Sequence, residues 1–205
     1  MKTSHMRPRH VVAAAAAVAA LTACEPGAPD VAVIQPAPPG AVVTTSALLT
    51  PANVAAVVVE ANQAMIERAM VARSDAADAR VRAFADRVLR DSKEAERRIE
   101  QGLFLMGITP QPEAIAYQIE SNAAQTVTAL RRADGLEVDR LYLESEIANH
   151  RWLIGTIDAV MPTLTSSEAR QELSAMRSML SARLAEAERL EIEVFGHNRH
   201  HYPNH

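Results

Sequence analysis

The chain has 205 residues, with 21 Lys and Arg against 25 Asp and Glu, and an isoelectric point near 6.0. That balance excludes a basic nucleic-acid binder, and 3% aromatic residues exclude a stacking platform for bases. A single cysteine excludes an intramolecular disulfide and any cysteine-cluster metal site.

Residues 1–23 read as a signal peptide. Lys2, Arg7 and Arg9 form a positive n-region, and Val11 to Ala20 is an uninterrupted apolar run. That run is too short to span a bilayer and suits a secretory h-region. Leu21-Thr22-Ala23-Cys24 follows. It resembles the lipobox of bacterial lipoproteins. The resemblance implies cleavage before Cys24, a diacylglyceryl thioether on its sulfur and an acylated (palmitate-type) N-terminus. The implied address is the bacterial cell envelope, anchored to the inner or outer membrane with the domain facing the periplasm. Ordinary cleavage after Ala23, leaving a free Cys24, is the alternative. Two or three acyl chains anchor stably where one is marginal. Losing Lys2, Arg7 and Arg9 takes the formal charge from −4 to −7.

Residues 24–50 hold the candidate lipidation site Cys24 and a tether. Pro26, Pro29, Pro36, Pro38 and Pro39 fall there with Gly27 and Gly40, and no apolar periodicity survives. The composition predicts a disordered stalk, reaching about 80 Å if fully extended and nearer about 30 Å as a flexible coil.

Residues 51–195 read as helices throughout, with no competing strand pattern. Thr50-Pro51 is a helix start, Thr as N-cap and Pro at the first position. The first helix is expected to run to about Arg73, on the stripe Val54, Val58, Ala61, Met65, Ala69 and Ala72, with Ser74-Asp75 as its break. A second runs from about Ala76 to Met106 on Val81, Phe84, Val88, Ala95, Ile99, Leu103 and Met106, until Gly107, Pro110 and Pro112 stop it. Glu113 to Arg132 is helical in pattern but less apolar, with Ile115, Ile119 and Leu130, and reads as a crossover helix, ended by Asp134-Gly135. A helix from about Glu137 to Met161 is apolar on more than one side, and Pro162 ends it. Thr165-Ser166-Ser167-Glu168 has the form of a capping box. The last helix carries Leu173, Met176, Leu180, Leu184, Ala187 and Val194, with Gly196 as its expected C-cap. The acidic residues Glu186, Glu188, Glu191 and Glu193, interleaved with Arg183 and Arg189, read as a solvated face. The expected architecture is an all-α four-helix bundle, ferritin-like, with a crossover segment between the two helix pairs.

Two groups of residues carry a family resemblance. The first is Val81-Arg82-Ala83-Phe84-Ala85 followed by Arg87-Val88-Leu89-Arg90-Asp91-Ser92. The second is Leu130, Gly135, Val138-Asp139-Arg140-Leu141-Tyr142 and His150. Over about residues 50 to 192 the order resembles the DUF4142 family of bacterial envelope proteins, which implies a ferritin-like fold and no settled activity. Ser92 stands where that family usually carries His, and Val138 where it carries Phe.

No Glu precedes a His by three residues, so the standard di-iron pattern is missing. Neither His-Glu-x-x-His nor Gly-x-Ser-x-Gly occurs. His150 lies on an apolar stripe with Leu143, Ile147, Ile154 and Ile157, and Glu146 stands one turn before it. Ser92 falls on the inward face of the second helix. His150, Glu146 and Ser92 are therefore the candidate core polar site. A hydrogen-bonded core histidine that sets helix register and a metal ligand or pH-sensitive group are its two readings. Tyr142 and Trp152 read as core, with a ligand cavity as the alternative. The tail, residues 196–205, holds His197, His200, His201 and His205, four of the seven histidines. Clustered imidazoles bind Zn, Cu or Ni without a preformed fold, and a merely solvated tail is the alternative.

These readings lead to a lipid-anchored, non-enzymatic envelope module, structural or interaction-mediating. It needs no cofactor, has a membrane partner through Cys24 and an unidentified envelope protein partner, and binds no nucleic acid. Metal binding or buffering by the tail is the alternative, and carriage of an apolar ligand in the bundle core is a third reading.

Overall fold

The computed structural model describes residues 50–163 and 167–196. The signal segment, Cys24, most of the tether, Thr165 with its proposed cap, and His197, His200, His201 and His205 lie outside the described residues.

Five helices follow in order: α1 (Pro51–Asp75), α2 (Ala79–Met106), α3 (Ala114–Arg132), α4 (Leu136–Val160) and α5 (Ser167–Phe195), with a 3-10 turn Met161–Thr163 after α4. No strand occurs among the described residues. The segment expected as a crossover helix is helical over 19 residues, so the described residues hold five helices rather than the four of the expected bundle plus a shorter crossover.

Local chemistry sets most boundaries. The Thr50 hydroxyl accepts the Asn53 N–H at 3.2 Å, and the Asn53 side-chain oxygen accepts the Thr50 N–H at 3.2 Å, a reciprocal cap. The break after α1 lies later than expected. Ser74 stays helical, its hydroxyl donating back to the Val71 carbonyl at 3.1 Å. Asp78 starts α2 by accepting the Arg80 N–H at 2.8 Å. At the far end of α2 the N–H groups of Gly107 and Ile108 reach the carbonyls of Phe104 and Leu103, and Gly107 takes φ 63°. This is a Schellman ending, which needs a residue without Cβ strain at that position. Gly135 takes φ 54° before α4. Gly196 does not adopt a left-handed conformation, so the expected glycine cap on α5 is replaced by a 3-10 residue.

Helix α1 packs most extensively against α2 and α3, and α4 against α5. The α3–α4 and α1–α4 contacts are narrower, and α2–α5 closes the remaining side. The neighbours of α1 explain its burial. Beyond the expected stripe, Ala55, Ala56, Ala64, Ile66 and Val71 are buried too. A helix with apolar residues all round belongs inside, and α1 has few charges to prevent it.

The apolar contacts form three clusters. The largest joins α1, α2, α3, α4 and α5 through residues such as Met65, Phe84, Leu130, Leu143 and Leu190. A second lies between α4 and α5, around Ile157, Leu173 and Leu180. A third lies between α1 and α2, around Ala55, Ile99 and Leu103. On each of α1, α2, α4 and α5 a buried or nearly buried polar residue separates the large cluster from a small one.

Ion pairs hold α5 to its neighbours. Arg87 pairs with Glu186, Arg151 with Glu188 at 2.7 Å, Arg80 with Glu193 at 3.3 Å, Arg183 with Asp91 at 2.8 Å and Arg177 with Asp158 at 2.6 Å. Three of the four glutamates expected to form a solvated face are therefore clasped by arginines of α2 and α4. Each such exposed pair contributes little alone, but together they favour one register of α5.

Candidate functional site

Buried polar residues of α1, α2 and α4 form a layer within and beside the largest apolar cluster. Asn62 and Arg68 come from α1, Ser92 from α2, and Tyr142, Glu146 and His150 from α4. All six are buried, Arg68 with 5% of its surface exposed. Arg183 of α5 stands at the edge of the layer, close enough for its charge to act on Tyr142 and His150.

The centre of the layer is an ion pair. Arg68 Nε donates to Glu146 Oε1 at 3.1 Å across α1 and α4. The low dielectric strengthens this attraction, but removing both groups from water costs several kcal/mol per ion, of order. His150 sits one turn further along α4. Its Nδ1–H donates to the Glu146 main-chain carbonyl at 2.6 Å, while Glu146 Oε2 lies 3.8 Å from the same nitrogen. Glu146 thus orients His150 through its backbone, and its carboxylate is engaged by Arg68. That bond fixes the tautomer and leaves Nε2 as the lone-pair nitrogen.

Ser92 is on the inward face as expected, but it is not bonded to His150. Ser92 Oγ and His150 Nε2 both lack a hydrogen-bond partner. The link to α2 runs through its main chain, where Asn62 Nδ2 donates to the Ser92 carbonyl at 3.0 Å. Arg68 Nη2, Glu146 Oε2 and Tyr142 Oη are likewise buried without partners. This set mixes donors and acceptors. Among the described residues no group of three or more His, Cys, Asp or Glu is placed to hold a metal ion. His150 and Glu146 offer only two such side chains, beside the Arg68 cation.

Tyr142 and Phe84 pack with ring centroids 6.0 Å apart at 55°, a tilted aromatic contact. Burial first, then the Glu146 charge, pushes the Tyr142 phenol well above its usual range. It stays a neutral hydroxyl. Trp152 is also buried, at the α4 end of the layer.

Asp139, part of the motif around Tyr142, has a separate task. It is fully buried, and its Oδ2 accepts the Asp78 N–H at 2.9 Å. Arg82 donates to the carbonyls of Ala76 and Ala77 at 2.6 and 2.7 Å. The α1–α2 turn is thereby tied to the first turn of α4. Sequence reasoning passed over Arg68, Asn62 and Asp139. A charged residue three places from Met65 on a helix with few charges was the available signal for Arg68.

Burial lowers the His150 pKa from its ordinary value, with Arg183 and Arg68 also lowering it and Glu146 opposing. The folded state therefore binds this proton less readily than the unfolded chain. Stability contributed by neutral His150 is complete above the unfolded pKa, about 6.5, and falls as pH drops through it towards the lower folded pKa. Denaturant titrations between about pH 7 and 5 are expected to show declining stability, with a shallower decline in His150→Gln. Equal slopes in the two proteins would assign the decline to other groups.

No curated protein and no solved structure matches the chain. One family model does, described as a domain of unknown function, DUF4142, over residues 36–190. The match takes in α1 to α4, most of α5, and the part of the tether from residue 36. With that span covered, the chain belongs to the DUF4142 family.

Proposed function

We propose that this protein is a lipid-anchored, non-enzymatic module of the bacterial envelope, whose folded domain serves as a structural or interaction element held near the membrane by its tether. The observation that carries this reading is the sealed polar layer. His150, Glu146 and Ser92 are the side chains best suited to chemistry, and all three are fully or almost fully buried. Glu146 and His150 are occupied with helix-to-helix and helix-internal bonds. Buried polar contacts of this kind specify register between helices.

In this reading α1, α2, α4 and α5 are the four helices of a ferritin-like bundle, and α3 is the crossover carried on the flank of α1. The extensive α1–α2 and α4–α5 packing supports that pairing. Among the described residues no helix is long and apolar enough to cross a membrane. In this reading Cys24, behind the lipobox-like Leu21-Thr22-Ala23, is the attachment.

The test is the mass and partitioning of the native chain. Protein extracted from membranes in detergent is expected to lack residues 1–23 and to carry a diacylglyceryl group and an amide-linked acyl chain on Cys24. Cys24→Ala is expected to lose that mass and leave the detergent phase. A native chain with a free Cys24 thiol in the aqueous phase would overturn the anchor. Hydrolase or oxidase turnover, abolished by His150→Ala in a folded protein, would overturn the non-enzymatic part.

A further inference from the structure

The two ends of the helix bundle differ in charge. Thr50, where the tether joins α1, lies beside the α2–α3 loop: the Gln111 N–H donates to the Ala52 carbonyl at 2.9 Å, and Asn53 Nδ2 donates to the Gln111 carbonyl at 3.1 Å. Because Asp139 ties the start of α4 to the α1–α2 turn at the opposite end, α4 finishes and α5 begins at the tether end. Among the described residues, 50–59, 101–112, 159–163 and 167 supply the chain at this end and contain no Asp, Glu, Lys or Arg, in a sequence that is 22% charged; Glu113 at the start of α3 and Glu168 in the first turn of α5 flank them. The loops at the opposite end carry Asp75, Asp78, Arg132, Asp134 and Glu137.

This end also exposes the two most solvent-accessible large apolar side chains among the described residues. Phe104 is 85% exposed and Leu105 73%, and Tyr117 in the first turn of α3 is 59% exposed. They are held on ordered backbone. Ile99 and Leu103 occupy the inward face against Ala55, so the helical step of about 100° per residue turns Phe104 and Leu105 outward. The Schellman ending at Gly107 and the Gln111 bonds to α1 fix the tip. Met70, Leu136, Met179 and Ile192, exposed elsewhere, are not adjacent to one another in sequence.

We propose that this end of the bundle is a membrane-contact site, with Phe104 and Leu105 entering the headgroup–acyl boundary of a lipid bilayer. The occupant follows from where the chain leads. The residues from Cys24 to Thr50 join this end to the anchor, and as a flexible coil they average about 30 Å. The proposal rests on the anchor reading for that proximity. A tethered site meets the bilayer at high effective concentration, so a weak contact suffices. The stretch 101–112 carries no ion to desolvate in the interface, and Phe and Leu are the side chains that gain from entering it. The acidic remainder of the domain stays in water, away from anionic headgroups.

The test uses the full mature chain in vesicles of phosphatidylethanolamine and phosphatidylglycerol. Lipidated Cys24 has no thiol, so Leu105→Cys and, at the opposite end, Asp134→Cys each take one environment-sensitive fluorophore. The label at 105 is expected to shift to the blue and to be quenched several-fold more than the label at 134 by lipids brominated on their acyl chains. Adding Phe104→Ser is expected to reduce both effects. Equal, water-like signals at the two positions would overturn the contact. Concentration-dependent self-quenching at 105 without lipid quenching would also overturn it, and assign the surface to a second copy of the chain. Labelling of Cys24 itself would overturn the anchor reading alone. The contact would then be read in a Cys24→Ala, Leu105→Cys chain added to the same vesicles, where acyl-chain quenching supports it and its absence overturns it.

Discussion

Arg68→Ala is expected to cost about 3–5 kcal/mol of folding stability, because it leaves the Glu146 carboxylate buried without its counter-charge. Arg68 Nε donates to Glu146 Oε1, and Glu146 Oε2 has no hydrogen-bond partner. A domain of this size has about 5–15 kcal/mol in total, so the loss is a large share of it. The measurement is the denaturant midpoint of the variant at neutral pH with an unchanged slope. The companion variant, Arg68→Met with Glu146→Leu, decides the interpretation. Replacing both charges with apolar groups of similar volume is expected to restore most of the loss, or to exceed the parent stability. If the double variant is as unstable as Arg68→Ala, the damage comes from lost packing of the Arg68 stem rather than from an unpaired carboxylate. A restored but less cooperative transition would show that the pair serves register more than stability.

Phe84→Ala is expected to cost a similar amount, about 3–5 kcal/mol, by a different mechanism. The ring is almost fully buried and packs against Tyr142 at a centroid distance of 6.0 Å. Its removal takes apolar surface from the largest cluster and leaves a cavity beside the Tyr142 hydroxyl, which has no partner. The comparison that isolates burial is Phe104→Ala on the same helix. Phe104 is largely exposed, and its truncation is expected to change stability by no more than about 0.5 kcal/mol. Thermal unfolding of the two variants side by side checks this. A large loss in Phe104→Ala would mean that the exposed tip is covered in the folded protein before any membrane is present.

The contrast between these two phenylalanines shows how far a sequence can be read. Phe84 belongs to a clear apolar stripe, with Val81 and Val88 one turn away on either side, and it is buried as that stripe predicts. Thr50-Pro51, Gly107 and Gly135 mark helix ends as expected, because caps and glycine turns act within a few residues. Ser74-Asp75 misled for the same local reason. Both residues are good cap candidates, yet the chain turns only at Ala76 to Asp78, where Asp139 and Arg82 reach in from other segments. His150, Glu146 and Ser92 were legible as inward-facing polar residues on helical stripes. Their partners were not. Arg68 lies 78 residues before Glu146, and no periodicity reports a pair at that separation. The acidic run on α5 shows the same limit, since its charges read as solvated until α2 and α4 bring arginines to them.

The sequence by itself determined the all-helical class, the positions of most helix ends and the family, because helix periodicity, caps and breakers are properties of neighbouring residues. Only the tertiary structure decided that the less apolar third helix packs along α1, that α1 is enclosed nearly all round, and that Arg68 meets Glu146. It also decided that the start of α1 and the α2–α3 loop share one end of the bundle. Those outcomes depend on which faces of distant helices come together, and packing sets that through the summed burial of many side chains rather than through any local signal.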